Sequence, residues 1–186
     1  MTASTLPTVF TIGHSTRTLE EFIAALKAAR VDTLVDVRRF PHSRRHPHFN
    51  QEKLAPALEE VGIAYRHFPA LGGRRSSRKD GQPSPHLLWR EPAFRNFADY
   101  AETAEFRAAF DALVVLAKGG QVAIMCAEAV WWRCHRRIIA DYLIAAGFPV
   151  VHIFDAAKRE PASLTPGARP LASGTILYEG AQPRLL

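Results

Sequence analysis

Val122-Ala-Ile-Met-Cys126 is the most apolar run in the chain. It follows Gly119-Gly120 and gives way to the polar Glu128. So short a run, without polar alternation, predicts a central parallel strand covered on both faces. Outward from it, the same kind of signal recurs. Thr8-Val-Phe-Thr-Ile12 predicts a first strand stopped by Gly13, Thr33-Leu-Val-Asp-Val37 a second, Ile63 to Phe68 a third, and Val150 to Phe154 the last of the core.

Helical patterns fall between these strands. Thr18 and Glu21 have capping-box spacing, followed by Leu19, Phe22, Ile23 and Leu26 at i, i+3, i+4 and i+7. Asn50 can cap a helix with Leu54, Leu58 and Val61 on one face, closed by Gly62. Pro56 inside it is expected to cost one backbone bond or to shift the helix start. Pro92 suits a first helical position, with Phe94, Phe97 and Ala101 on one face. Thr103 begins another helix that ends at Gly119-Gly120, and a last one opens at Cys134 or His135 and stops at Gly147. Strand and helix alternate, which predicts an α/β fold: a parallel, doubly wound, Rossmann-like sheet with helices on both faces. The expected organisation is a single domain over 1–186, with a core of about 8–155 and an irregular tail over 156–186. In that tail only Thr175 to Tyr178 reads as a strand.

With 186 residues, 47% of them hydrophobic, the chain can bury a core without metal or disulfide support. Two cysteines, Cys126 and Cys134, exclude a disulfide framework, and the cytoplasm is the expected compartment. No apolar run approaches the ~20 residues of a membrane span, so no membrane partner is expected. Met1 to Phe10 lacks the charged and apolar regions of a secretory signal.

Charge is unevenly placed. Arg38 to Asp80 holds ten basic and four acidic residues, which accounts for the whole net charge of +6. Four histidines, His42, His46, His48 and His67, lie in the same stretch. Such a block attracts anions, polyanions above all. From Leu71 to Pro85 it becomes a Gly-, Ser- and Arg-rich loop that reads as mobile.

In a parallel sheet, ligands bind at the carboxyl ends of the strands. The segments expected there are polar: Gly13-His14-Ser15-Thr16-Arg17, Asp36-Val37-Arg38, Leu71-Gly72-Gly73-Arg74, and Glu128 followed by Trp131-Trp132-Arg133-Cys134-His135-Arg136. Asp36, Glu128 and His14 are the candidate catalytic groups. Ser15, Thr16, Arg17, Arg38, Arg44, Arg45, Gly72, Gly73, Trp131, Trp132, Cys134, His135 and Arg136 are the candidate binding residues. Amides of a helix opening near Cys134 would add a positive dipole end.

Other chemistries fit less well. An anion loop of Cys, five residues and Arg fails, because Trp132 and Ala140 occupy the arginine places counted from Cys126 and Cys134. Cys126, Cys134, His135 and His14 could meet only through the fold, at a spacing that is not diagnostic, so no metal is expected. Cys126 reads as core, and Cys134, at a helix start, as packing or a thiol of lowered pKa. No dinucleotide fingerprint and no phosphate loop is present, so no cofactor is expected.

Taken together, Thr11-Ile-Gly-His-Ser-Thr16, Leu34-Val-Asp-Val-Arg38, Pro41 with Ser43-Arg44, Phe49-Asn50, Leu71-Gly-Gly73, Met125-Cys-Ala-Glu128, Cys134-His-Arg136, Ile139-Ala-Asp141, Leu164-Thr-Pro166 and Ala168-Arg169 resemble the domain of unknown function 488 (DUF488) family. The resemblance covers nearly the whole chain and implies a compact α/β fold with no settled activity. Trp131 stands where that family usually has proline, and His46 where asparagine is common.

Three functions compete. The favoured one is an enzyme acting on nucleic acid or nucleotides, a hydrolase of base–sugar bonds being one form. There Asp36 or Glu128 would orient water, Arg38 and Arg136 would hold phosphate, and Trp131 or Trp132 would stack on an extruded base. The second is a small-molecule enzyme or binder for a phosphorylated or otherwise anionic ligand. The third is a non-catalytic nucleic-acid-binding module. The sequence is silent on oligomeric state.

Overall fold

The computed structural model describes residues 6–180. Its main sheet contains β1 (Val9–Gly13), β2 (Thr33–Asp36), β3 (Ala64–His67), β4 (Val122–Cys126), β5 (Val150–Ile153) and β6 (Arg159–Pro161). Their spatial order is β3-β2-β4-β1-β5-β6. The first five run parallel, and β6 pairs antiparallel with β5. The run that decides the reading, β4, lies between β2 and β1 and is buried along its whole length.

Alternate residues of the strands serve opposite faces. Phe10, Ile12, Leu34, Ala123 and Met125 pack with Phe22 and Leu26 of α1 (Leu19–Ala28) and Leu54 and Leu58 of α2 (Gln51–Glu59). Val9, Val35, Val122, Ile124 and Cys126 face the other way. Their partners are Phe97 of α3 (Pro92–Tyr100), Phe106 and Leu113 of α4 (Ala104–Gly119), and Ile138 and Ile139 of α5 (Arg136–Ala145). The expected doubly wound α/β sheet is therefore present.

Most local signals hold; Asn50 stands at the cap position of α2, but its side chain makes no cap bond and instead accepts from the Ser43 amide at 2.6 Å. Thr18 and Glu21 form the reciprocal capping box at α1, with bonds of 2.9 and 3.1 Å. Thr103 accepts from the amide of Phe106 at the start of α4. Gly62 follows α2 at φ +79°, a left-handed conformation that suits glycine. Pro56 is accommodated inside α2. The last helix begins one residue later than expected, at Arg136, with His135 at the cap position.

The tail is more ordered than expected. Besides β6 it holds a two-stranded antiparallel pair, β7 (Ala168–Pro170) and β8 (Ile176–Tyr178). Tyr178 of β8 is buried and donates its hydroxyl to Asp141 of α5 at 3.0 Å. The loop after Gly73, read as mobile, is tethered. Arg75 donates to the carbonyls of Gly72 and Pro69, both at 2.9 Å, and its guanidinium lies 3.6 Å from the centre of the Tyr100 ring. Met1 to Thr5 and the last residues of the tail, 181–186, lie outside the described residues.

Candidate functional site

The carboxyl ends of β1, β4 and β2 lie side by side. Gly13 is in register with Cys126, and Asp36 with Met125. The chain leaving β1 is zipped onto the chain leaving β4, His14 N–H donating to the Cys126 carbonyl and Ser15 N–H to that of Ala127, both at 2.9 Å. A Cβ at position 13 would lie 1.7 Å from the Glu128 carbonyl oxygen, so only glycine permits this approach. Above these strand ends opens a cavity of about 720 Å³.

His14 forms part of its wall. The ring stacks on Phe49 at 4.4 Å between centroids. Its Nδ1 donates to the Ser15 carbonyl at 3.0 Å, which leaves the Nε2 lone pair facing Nη1 of Arg38 at 3.4 Å. Burial, aided by the Arg38 charge, lowers its pKa to about 4 against the raising effect of the Ser15 carbonyl, so the imidazole is neutral at pH 7.

Asp36 lies beneath the cavity and does not line it. Its carboxylate accepts from Arg38 Nη2 at 2.6 Å, from Arg38 Nε at 2.9 Å, from the Arg38 amide at 3.0 Å and from the Tyr65 hydroxyl at 2.6 Å. Arg38 in turn donates to the Phe49 carbonyl at 2.8 Å. This saturated network holds the basic loop onto the sheet. Glu128, by contrast, is exposed and lines the cavity.

Of the other residues expected at the edge, Ser15, Thr16, Arg38, Arg45, Gly73, Cys134 and His135 line the cavity with His14 and Glu128. The rest do not. Arg17 turns back to the carbonyls of Gly13 and Phe154. Arg44 is exposed away from the cavity, and Gly72 packs against the backbone of Arg39. Trp131 stacks on His152 at 4.5 Å, and Trp132 leans toward Phe154, so neither presents a platform to the cavity. Arg136 lies under the floor, only 1% exposed. Arg39, Arg74 and Arg133 also reach the lining; Arg74 and Arg133 belong to segments expected at this edge but are not among the candidate binding residues, and Arg39 is in neither group. The signal was available, since two of them belong to the basic stretch and the third precedes Cys134.

The floor is sulfur-rich. Cys126 Sγ, Cys134 Sγ and a ring nitrogen of His135 all lie within 4.8 Å of one another, and His14 is not part of this group. His135 Nε2 donates to the Val37 carbonyl at 3.1 Å, so Nδ1 is the bare nitrogen, 3.6 Å from Cys134 Sγ. Arg136 donates from Nε to Cys126 Sγ at 3.1 Å, from Nη1 to Thr11 Oγ1 at 3.3 Å and from Nη2 to the Glu128 carbonyl at 2.6 Å.

Fold and site together define an α/β protein with an arginine-rich cavity over the carboxyl ends of its central parallel strands. Residues 18–143 match the family described as Domain of unknown function DUF488. That is more than half of the chain, which therefore belongs to this family. Neither the curated proteins nor the solved structures contain a match to it. No helix among the described residues is long and apolar enough to cross a membrane.

Proposed function

We propose that the cavity binds the phosphate-bearing part of a nucleotide or of a nucleic-acid end, and that Glu128 is the carboxylate that would orient water for hydrolysis there. One observation carries the reading. Arg39, Arg45, Arg74 and Arg133 line the cavity with no carboxylate in salt-bridge range among the described residues, and Glu128 is the one acidic group in the lining. Unpaired guanidiniums that converge on a concave surface match phosphate oxygens in charge and in fork geometry. A volume of about 720 Å³ suits a nucleotide-sized molecule.

Asp36 drops out of the chemical part of this reading. A carboxylate already accepting four hydrogen bonds from Arg38 and Tyr65 has no site left for a water or an oxocarbenium-like sugar. Base stacking on Trp131 or Trp132 drops out as well, because both lie outside the lining.

The test is a thermal-shift and calorimetric screen of nucleoside mono-, di- and triphosphates beside short DNA and RNA strands carrying a terminal phosphate. A ligand should raise the melting temperature, and its affinity should fall as salt rises. Arg45→Ala combined with Arg133→Ala should weaken it by about tenfold or more, each lost charged contact being worth roughly 1.5–3 kcal/mol. Glu128→Gln should keep binding and abolish turnover. Binding with no product from any substrate would leave the non-catalytic module. No shift with any phosphate-bearing ligand would end the proposal.

A further inference from the structure

Arg136 is a fully buried cation with no carboxylate within salt-bridge range among the described residues. A buried charge is normally balanced by an opposite one. Besides Thr11 Oγ1 and the Glu128 carbonyl, the group nearest its Nε is Cys126 Sγ, at 3.1 Å. Cys134 Sγ accepts from the Arg136 amide at 3.5 Å, at the first turn of α5. A guanidinium and a helix-start amide therefore both point at one pair of sulfurs. The neutral arrangement of this cluster is one thiolate and one thiol beside one guanidinium. Both cysteines belong to the cavity lining, each with 3% of its surface exposed.

We propose that Cys126 and Cys134 form a redox-active dithiol, with Cys134 the attacking thiolate and Cys126 the resolving thiol, which exchanges with a low-molecular-weight disulfide entering the cavity. The Cys134 thiolate attacks one sulfur of the disulfide R–S–S–R. A bond forms between Cys134 Sγ and that sulfur, and the other half leaves as R–S⁻ with the electron pair of the broken S–S bond. Cys126 gives up its proton, attacks Cys134 Sγ and expels the second half. The dithiol is oxidised by two electrons to a Cys126–Cys134 disulfide. The incoming disulfide is reduced to one R–SH and one R–S⁻, so the single negative charge and the single proton are both conserved.

The division of roles follows from position. Cys134 Sγ accepts from the Arg136 amide at the start of α5, and the bare Nδ1 of His135 lies 3.6 Å from it, whereas Cys126 is the last residue of a buried strand and accepts from the Arg136 side chain. The same three side chains are a possible soft-metal donor set. With both thiols ionised around a divalent ion, however, the cluster with Arg136 would carry net positive charge under a cavity already lined by arginines, whereas the thiolate–guanidinium pair is neutral.

The chain contains just these two cysteines, so the mass of the intact protein reads their state directly. The full-length protein is reduced, freed of reductant, incubated with oxidised glutathione and quenched with N-ethylmaleimide. The wild type should convert to a form that takes up no maleimide and carries no glutathione. Cys126→Ser should stop at a mixed disulfide bearing one glutathione, and Cys134→Ser should remain unmodified in the same time. Should either variant fail to fold, the wild-type conversion followed by peptide mapping of the Cys126–Cys134 linkage decides alone. The proposal is overturned if the folded wild type keeps two maleimide-reactive thiols, if Cys134→Ser forms the mixed disulfide as fast as Cys126→Ser, or if the purified protein carries one equivalent of zinc that protects both thiols.

Discussion

Two guanidiniums are buried at the same sheet edge, and their surroundings differ in kind. Arg38 is held by a carboxylate and, through it, by a tyrosine hydroxyl. Arg136 is held by a sulfur, a threonine hydroxyl and a carbonyl. The first partnership is a forked ion pair, with Asp36 accepting from both Nε and Nη2 of Arg38. The second is adjustable, because a thiol beside a guanidinium can take up or release a proton near neutrality. One half of the edge therefore serves as a fixed anchor for the basic loop, and the other half has the means to react.

The strongest way to break this comparison is to delete the fixed counterion. Asp36→Ala strands Arg38 in the interior at 7% exposure and should cost about 3–5 kcal/mol of stability, measured by denaturant unfolding. Arg136→Met should cost less, roughly 1–3 kcal/mol, because the thiol pair can take up a proton when its cation leaves. Equal losses would mean that the sulfur pair is as fixed an anion as Asp36.

Next in size is the acid response, which both halves share. His14 beside Arg38 and His152 beside Arg136 are each lowered to about 4, by burial first and the neighbouring guanidinium second. Both folded values lie below the ordinary histidine value of about 6.5, so in that interval the unfolded chain binds more protons. The contribution is fully present above about pH 6.5 and is lost as the pH falls through about 4, at roughly 3 kcal/mol for each histidine. Unfolding titrations across this interval should show the decline. His14→Gln and His152→Gln should each flatten it by about half, and a flat profile in the unaltered protein would show that neither ring is held neutral.

Strands β1, β2, β4 and β5 were legible because each is a mostly apolar run cut off by glycine or a polar turn, and that signal needs no tertiary context; β3, Ala64–His67, carries polar Arg66 and His67 and is marked only by its flanks. Strands β6 and β7 were not legible. They are three residues long, each includes a proline, and they present mostly exposed side chains, so no apolar pattern marks them. At the site, His14, Arg38, Glu128, Cys134 and His135, which the strand-end rule expects at one edge, lie around one cavity. It could not say which side of the edge a long side chain takes. Arg17 bonds to backbone carbonyls and Arg136 to sulfur, and both directions depend on strands far away in sequence. Trp131 is drawn to His152 on β5, a partner that local spacing does not reveal. Cys126, read as core, lies in the core cluster and on the cavity floor at once, because it is the last residue of a buried strand.

The finest comparison deletes one hydroxyl from each half. The Tyr65 hydroxyl donates to the Asp36 carboxylate at 2.6 Å, a bond to a full charge. Thr11 Oγ1 accepts from Arg136 at 3.3 Å and pairs with His152 Nδ1 at 2.8 Å, so its ring partner is uncharged and its cationic contact is long. Tyr65→Phe should therefore cost about 1.5–3 kcal/mol and Thr11→Val about 1 kcal/mol, both read from denaturant midpoints at unchanged slope. The reverse order would mean that Arg136 depends on its neutral partners more than Arg38 depends on its anion, and the contrast between a fixed and an adjustable half would have to be turned around.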